Sequence, residues 1–282
     1  MPGTLFVVGT PIGNLEDLTF RALRVLREVD RIAAEDTRRT AHLLARYEVR
    51  KPVVSLREHN ELRETPRLVA RLQSGESIAL VSDAGTPGIS DPGARLVAAC
   101  RQEGVPIVAI PGPSAVTAAL SISGFAADHF AFMGFPPSSG KARQLWLTRL
   151  ANETRPVVFF ESPHRIVRTI EDLCSIKRPI VIHRELTKIH EISTVCHNTG
   201  PIQSIVEKGE YTIVVGPADK TELNIDKEDV YSLYVNLVDG VPLAADQAMR
   251  LVAMAFDTDV GSVSKIIKKI KISIKRQKKS TA

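Results

Sequence analysis

The chain has 282 residues, of which 44% are hydrophobic and 24% charged, a composition typical of a folded globular protein rather than a disordered one. No apolar run approaches the roughly 18 residues that a membrane span requires, and no basic leader precedes the first apolar run. Three cysteines without a CxxC pair exclude a disulfide framework. We therefore expect a cytoplasmic protein that does not enter a membrane.

The net charge of +5 is concentrated at one end of the chain. Eight Lys or Arg residues lie between Lys265 and Lys279, and no acidic residue follows Asp259, so the chain before this tail carries about −3. Attraction to nucleic acid should therefore come from the tail or from local basic clusters. A scatter of solvated charges is the alternative for each cluster.

Apolar runs and helical stretches alternate through the first part of the chain. Residues 5–8 predict a buried strand, and the loop GTPIGN leads into a helix with Asn14 as its N-cap. The alternation continues beyond this helix, which favours a parallel sheet with helices on both faces. The further strands are predicted at 32–34, 53–56, 78–81 and 107–110, and the helices around 38–47, 60–73 and 92–103.

The pattern changes after the run PGPSA that begins at Pro111. A short helix runs to Ile122, and strands are predicted at 130–135, 156–160, 179–183, 192–197 and 211–215, with helices around 140–150 and 163–174. The third and fourth of these strands are joined by a linker that holds only a short loop or hairpin, which predicts a mixed sheet. We predict an α/β fold with α/β domains at 1–112 and 113–220 and a helical, basic segment at 226–282.

The loop VSDAGTPGISDPG, from Val81 to Gly93, is the most informative segment of the chain. Its thirteen residues include five Gly or Pro and two Asp, directly after a predicted strand. Asp83 can accept hydrogen bonds, and Gly85 has no side chain that would hold a ligand away. Open α/β sheets bind ligands at the carboxyl ends of their strands. We therefore predict a ligand site here; the alternative is a tight surface turn.

Several common sites are excluded by spacing. Pro11 occupies the position where a dinucleotide fingerprint needs its second glycine, so we do not expect NAD or FAD. No P-loop, G-x-S-x-G or H-E-x-x-H motif is present. The remaining metal candidates match no common ligand spacing, and we expect no metal; they are His183, His190, Cys196 and His197.

The motifs together resemble the bacterial 16S ribosomal RNA cytidine 2'-O-methyltransferase family, which belongs to the tetrapyrrole-methylase-like S-adenosylmethionine enzymes. They occur in order over about three quarters of the chain: GTPIGNLEDLTFRAL, AEDTRRT, HN, SDAGTPGISDPG, IPGPSA, FFESPHR, RELTK and GEYTIVV. The resemblance implies a homodimer of two-domain protomers, with S-adenosylmethionine in the cleft between the domains. It also implies that the acceptor is a cytidine near the decoding centre of 16S rRNA, in the assembled 30S subunit.

The donor has no phosphate, so its site needs hydrogen-bond acceptors and apolar walls rather than a basic pocket. Asp83 and its loop supply the acceptors. For Phe160 and Thr212 an ordinary strand role is the alternative. The resemblance implies that the donor pocket is lined by Pro11, Ile12, Asp83, Ala84, Gly85, Thr86, Ser114, Ala115, Phe160, Tyr211 and Thr212.

Methyl transfer to a hydroxyl is an in-line displacement in which alignment supplies most of the acceleration, and a base can remove the proton. Lys188 is our first candidate for the base, if burial or Arg184 lowers its pKa, and a salt bridge to Glu185 or Glu191 is the alternative. The other candidates for the base are Glu185, Glu161 and His164. The residues expected to contact RNA are Arg38, His164, Arg165 and Arg184.

Two other functions fit parts of the sequence. A corrin or tetrapyrrole C-methyltransferase would share the donor loop but needs a large apolar cleft, whereas the motifs PHR and RELTK suit phosphates. A non-catalytic RNA-binding module would depend on the basic tail alone. The sequence also leaves open whether the helix, turn and basic helix at the end of the chain contact RNA or pack on the body.

Overall fold

The chain folds into two compact units, residues 1–218 and 219–282. The structure is a computed structural model that describes residues 1–176, 178–196, 205–218, 227–240, 243–256 and 258–280, without the side chains of 227 and 274–280. The boundary predicted after residue 112 falls inside the first unit, in the connection between two sheets. The division into three domains stays a prediction.

The first sheet is parallel, with the strand order β3-β2-β4-β1-β5. Alternate strand residues contribute to two separate cores: Ile32 and Val81 pack with α1 and α2, whereas Ile78 and Leu80 pack with α3 and α4. The predicted sheet with helices on both faces is confirmed. Its elements are β1 (Leu5–Val8), α1 (Phe20–Glu28), β2 (Arg31–Ala34), α2 (Thr37–Arg46), β3 (Val53–Ser55), α3 (Glu61–Gln73), β4 (Ile78–Val81), α4 (Ala94–Gln102) and β5 (Ile107–Ile110).

The start of α1 differs from the prediction. Asn14 caps only one turn of 3-10 helix at Leu15–Asp17, where its side chain accepts a hydrogen bond from the Glu16 backbone at 3.0 Å. Thr19 is extended and caps α1, because its hydroxyl accepts a hydrogen bond from the Ala22 backbone at 3.0 Å. Both side chains are good caps, and the second one begins the longer helix.

The second sheet is mixed, as predicted, with the strand order β6-β7-β10-β8-β9 and one parallel pair, β6 with β7. One face packs on α5 through Val158 and Val214, and the other packs on α6 and α7 through Phe159 and Ile213. The elements are α5 (Ala115–Ile122), β6 (Ala131–Phe132), α6 (Gly140–Asn152), β7 (Val157–Glu161), α7 (Ile166–Leu173), β8 (Ile180–Arg184), β9 (Ile192–Cys196) and β10 (Tyr211–Val215).

Two close backbone contacts hold the loops at the edge of the first sheet. Gly9 and Gly112 follow β1 and β5, and a Cβ atom on either one would lie 2.8 Å from the backbone of the other. Thr10 and Gly85 exchange two backbone hydrogen bonds of 2.8 and 3.1 Å, which tie the loop after β1 to the loop after β4. These contacts place the loops of β1, β4 and β5 side by side.

The second unit contains α8 (Lys227–Gly240), α9 (Ala245–Ala255) and α10 (Val260–Ser280) around a core of its own. Asp259 caps α10, since its carboxylate accepts a hydrogen bond from the Ser262 backbone at 2.9 Å. α9 ends at Ala255 and α10 begins at Val260, and residue 257 lies outside the described residues, as does His197. Within the described ranges, no helix combines the length and apolar character needed to cross a bilayer.

Candidate active site

A cleft of about 450 Å³ lies within the first unit, between the loops of its two sheets. The loop after β4 forms one wall, and the segments that follow β7 and precede β10 form the other. The beginning of α5 closes the cleft between them. The carboxyl ends of parallel strands meet at one edge of a sheet, which explains why the motifs converge here.

Ten of the eleven predicted donor-site residues line this cleft. Pro11 does not, although it is buried beside them. The structure thus brings together segments that lie more than a hundred residues apart in the chain. The ten lining residues are Ile12, Asp83, Ala84, Gly85, Thr86, Ser114, Ala115, Phe160, Tyr211 and Thr212.

The loop after β4 has an unusual backbone. Gly85 adopts φ +74°, and Ser90 adopts φ +62°, a left-handed conformation that costs free energy for a residue with a side chain. Glu61, a buried residue of α3, stabilises the end of the loop by accepting hydrogen bonds from the Gly93 and Arg95 backbones at 2.9 and 3.1 Å. The loop is therefore held in one conformation from outside the cleft.

Three carboxylates cluster on this wall: Glu35, Asp83 and Asp91. The Asp36 backbone donates a hydrogen bond of 2.9 Å to Asp83, whose backbone donates one of 3.3 Å to Glu35. Arg39 reaches Asp83 at 3.5 Å with a side chain that is 65% exposed. The cluster gives the wall a negative charge that one exposed arginine balances only in part.

Burial and mutual repulsion disfavour the charged forms of these carboxylates. Burial, with the charges of Glu35 and Asp83, raises the pKa of Asp91 to about 6. Burial also raises the pKa of Glu35, and the charge of Asp83 adds to that effect. A cationic ligand would relieve this repulsion. Glu35 and Asp91 were not predicted as site residues, although they belong to the motifs AEDTRRT and SDAGTPGISDPG.

The wall opposite has an apolar part around Phe160. The Phe160 ring packs against Phe132 and Phe135, with ring centroids 5.1 and 5.5 Å away. Phe135 is exposed and lines the cleft together with Leu186. This surface offers a face to a flat, apolar group, whereas the carboxylate wall suits positive charge.

Lys188 lies outside the lining of the cleft and is held by two carboxylates. Its Nζ atom is 2.9 Å from Glu185 and 3.0 Å from Glu210, the second of which lines the cleft. Burial favours the neutral amine, but the hydrogen bonds to both carboxylates outweigh it and raise the pKa of Lys188. The condition that burial or Arg184 lowers the pKa of Lys188 is not met in this arrangement, because the neighbours of the amine are negative.

The carboxylate of Glu185 also takes part in this network. The hydrogen bond from Lys188 is the main cause that lowers the pKa of Glu185, and the Glu210 backbone donates a further hydrogen bond of 2.9 Å. Of the two alternatives for Lys188, the salt bridge to Glu185 is present. Glu191 instead accepts a hydrogen bond from the Thr187 backbone at 2.6 Å. The carboxylate of Glu185 therefore holds Lys188 in place.

Glu161 lines the cleft, but its carboxylate points into a buried network. It pairs with Arg165 at 2.7 Å and accepts hydrogen bonds from Thr169 at 2.5 Å and from the Ser162 backbone at 2.7 Å. Arg143 in turn donates to Thr169 at 2.9 Å. Both carboxylate oxygens are occupied, so in this arrangement Glu161 stabilises the loop after β7.

The residues predicted to contact RNA lie outside the cleft lining. Arg38 and His164 are exposed. Arg165 is committed to Glu161, and Arg184 donates a hydrogen bond to the Lys208 carbonyl at 2.7 Å. His183, one of the metal candidates, is fully buried between Ser123 and Ser193, with N···O distances of 3.0 and 2.8 Å.

Comparison with known proteins places the chain in a family. The model of the Tetrapyrrole (Corrin/Porphyrin) Methylases matches residues 4–198. The protein named "Ribosomal RNA small subunit methyltransferase I" from Xylella fastidiosa is 48% identical, over 82% of this chain and 89% of its own length. A protein of the same name from Thermotoga maritima is 50% identical, over 67% of this chain and 86% of its own length. This chain belongs to that methyltransferase family.

Membership of the family confirms the resemblance inferred from the motifs. Solved structures with lower identity share the fold. Diphthine synthase has a TM-score of 0.61 at 17% identity, covering 76% of this chain and 90% of its own. The uroporphyrin-III-C-methyltransferase from Thermus thermophilus has a TM-score of 0.54 at 21% identity, covering 76% and 94%. The predicted α/β fold is confirmed.

Proposed function

We propose that this protein transfers a methyl group from S-adenosylmethionine to the ribose 2'-hydroxyl of a cytidine in 16S rRNA. The acceptor lies near the decoding centre of the 30S subunit, and the enzyme acts in the cytoplasm as a homodimer. The observation that carries the proposal is the cleft whose Asp83 wall is negative and whose Phe160 wall is apolar. The relatives named as small-subunit rRNA methyltransferases supply the substrate class.

The two walls of the cleft match the two ends of the donor. The sulfonium and the ammonium of S-adenosylmethionine are cationic, and Glu35, Asp83 and Asp91 would neutralise them. The adenine would pack beside Phe160 and Leu186. Among the described lining residues Arg39 is the one cation, which fits a donor without phosphate groups.

The residues of the cleft mainly align the methyl group of the donor with the acceptor oxygen. The donor supplies an activated methyl group, and the cleft has to hold it in line with the ribose oxygen. Lys188 remains our proposed base at the acceptor. Its ion pairs favour the protonated form in the free enzyme, so Lys188 has to release its own proton to solvent before it can accept the proton of the hydroxyl. Displacement of Glu210 by the acceptor would favour this release, because Glu210 is 65% exposed, compared with 19% for Glu185.

Replacing Lys188 by Met tests this role. We expect the single-turnover rate of methyl transfer to fall by about 100-fold, the loss typical of removing a general base or acid. Donor affinity should be unchanged, because Lys188 does not line the cleft. Rapid-quench transfer from labelled donor to 30S subunits would measure the rate. A rate within a few-fold of the wild type would eliminate Lys188 as the base.

The acceptor has to be single-stranded or splayed out of a helix, since a 2'-hydroxyl in a folded subunit is otherwise poorly accessible. Arg38, His164 and Arg184 are the residues that we propose for phosphate contacts around the cleft. Arg165 can join them only by leaving its ion pair with Glu161. A second protomer would extend the positive surface.

The test of the whole proposal uses purified enzyme, labelled donor and 30S subunits. We expect label on a single cytidine, located by ribose-methyl mapping. Calorimetry should detect donor binding that the variant Asp83→Asn weakens at least tenfold, because the Asp83 carboxylate faces the cleft. Asp128→Asn, an exposed change, is the control. Absence of donor affinity in the wild type would contradict the proposal.

No specific observation of the cleft favours either of the other candidate functions. A tetrapyrrole acceptor is suggested by the name of the matching family model and by the shared fold with the uroporphyrin methyltransferase at 21% identity, whereas the rRNA methyltransferase relative is 48% identical. A non-catalytic module would not need the strained backbone of Ser90 or the half-buried carboxylates of the cleft. Methyl transfer to rRNA therefore remains the proposed function, because the more similar relatives are named as rRNA methyltransferases.

A further inference from the structure

The last helix of the second unit, α10, carries charge of one sign only. Between Val260 and Ser280 the sequence has eight Lys or Arg residues and no Asp or Glu. The acidic residues of α8 and α9, such as Asp229 and Asp246, all precede it. A helix face that serves only solubility usually carries both positive and negative residues. A face with charges of one sign creates an electrostatic field that attracts ligands of the opposite charge.

The helix separates its apolar and basic residues onto opposite sides. Val263 and Ile267 are buried in the core that α10 shares with α8 and α9. Lys265, Lys268 and Lys269 are exposed, and the last two lie one helical turn beyond the first, so they form one surface, which we call the lysine face. In the described part of the chain, none of these three lysines takes part in a salt bridge.

The packing of α10 decides between two kinds of partner. A basic amphipathic helix can bind a membrane surface, but only by inserting its apolar side among the lipids. Here Val263 and Ile267 already pack inside the unit and are not available for insertion. The outward side carries a row of ammonium groups and a single exposed isoleucine among the described residues of α10, Ile272. Such a row attracts a polyanion with regularly spaced phosphates, whereas one isoleucine is too little apolar surface for insertion into lipid.

We infer that the lysine face is a docking surface for the phosphate backbone of ribosomal RNA, separate from the cleft. This inference rests on the proposed function, since the acceptor of that reaction supplies the RNA. The contact is electrostatic and independent of base sequence, because lysine binds phosphate as a point charge. It raises the affinity for the 30S subunit without taking part in methyl transfer.

The test is the salt dependence of 30S binding by the full-length enzyme. The variant K265Q/K268Q/K269Q removes three charges with residues of similar helix propensity. The control R101Q/K141Q/R149Q removes three charges from exposed helical positions of the first unit. We expect the slope of log K against log salt to become shallower by about 2 to 3 in the first variant, at roughly 0.7–0.9 for each phosphate that is no longer neutralised. The control should keep the wild-type slope.

Further measurements separate the possible failures. Donor affinity and the methylation rate at saturating 30S should stay at wild-type values in the lysine variant, and K265R/K268R/K269R should restore the slope. An unchanged slope in the glutamine variant would overturn the inference while leaving the proposed function intact. Lysine-dependent binding to phosphatidylserine vesicles at the same affinity as to 30S would also overturn it. A wild-type enzyme that never methylates 30S would instead defeat the proposed function.

Discussion

At the scale of single residues, the cleft concentrates negative charge in a place that partly excludes water. Asp91 lies beside Glu35 and Asp83, and burial is the main reason that its pKa reaches about 6. Such a cluster lowers the stability of the empty protein and raises its affinity for a cation, because the ligand supplies the missing countercharge. The loss of stability in the empty protein and the affinity for a cation therefore have the same physical origin, which is repulsion between half-buried carboxylates.

This argument predicts that Asp91→Asn stabilises the empty protein at alkaline pH. The pKa of Asp91 is higher in the folded chain than in the unfolded one, so its contribution to stability is complete below about pH 4 and is lost as the pH rises through about 6. Asparagine stays neutral throughout. We expect the variant to melt a few degrees above the wild type at about pH 8, and the difference to shrink toward about pH 4.5.

Thermal unfolding followed by circular dichroism at several pH values would measure this difference. Asp128→Asn is the matched control, because Asp128 is exposed and should give no pH-dependent difference. A variant that melts below the wild type under alkaline conditions would show that Asp91 is stabilised by its surroundings, against the argument from burial.

At the scale of elements, local capping decides where helices begin, and tertiary contacts decide where the loops of the cleft lie. The segment before α1 contains two good caps, Asn14 and Thr19, and the longer helix follows the second. Asn14 also donates its backbone N–H to Thr187 at 3.0 Å. The turn that Asn14 caps is therefore bonded to the segment that carries Lys188. Helix propensity along the sequence cannot predict this tertiary contact.

The two caps should differ in their contribution to stability. Thr19→Ala is expected to lower the free energy of unfolding by about 1 kcal/mol, the usual cost of losing an N-cap, because α1 packs into the core through Val25 and Leu26. Asn14→Ala should cost less than half of that, since it caps a single exposed turn. Urea titration of both variants would compare the free energies, and equal losses would contradict this view of the segment.

At the scale of the whole molecule, the close approach of Gly9 and Gly112 positions the cleft. It joins the loop after β1 to the connection between the two sheets, where no side chain fits. The positions of the lining residues on both sides of the cleft depend on this contact, because it determines how near the loops of the first sheet come to α5.

Gly112→Ala should therefore disturb stability and binding together. An added Cβ would lie 2.8 Å from the Gly9 backbone, and relief of this overlap costs about 2–3 kcal/mol in a packed region. We expect donor affinity to fall at least tenfold in the same variant. Gly240→Ala is the control, because its Cβ would meet no atom within 4 Å and its backbone is helical. Chemical unfolding and calorimetry would measure both effects, and a Gly112 variant with normal donor affinity would contradict the role of this contact.

The sequence by itself determined the class of the fold, the order of the strands along the chain and the ligand loop after β4. These features depend on local periodicity and on the properties of single residues such as Gly85 and Asp83, whereas the other residues of the cleft were implied by the resemblance to the family. It also predicted the family, because the motifs keep their order and spacing.

Only the tertiary structure decided the state of the ionisable residues. Lys188 has a raised pKa because of Glu185 and Glu210, and Glu161 is occupied by Arg165 and Thr169. Asp91 acquires its raised pKa from burial and from Glu35, which is distant in sequence. Electrostatic energy depends on distances and burial in three dimensions, and the order of residues along a chain contains neither.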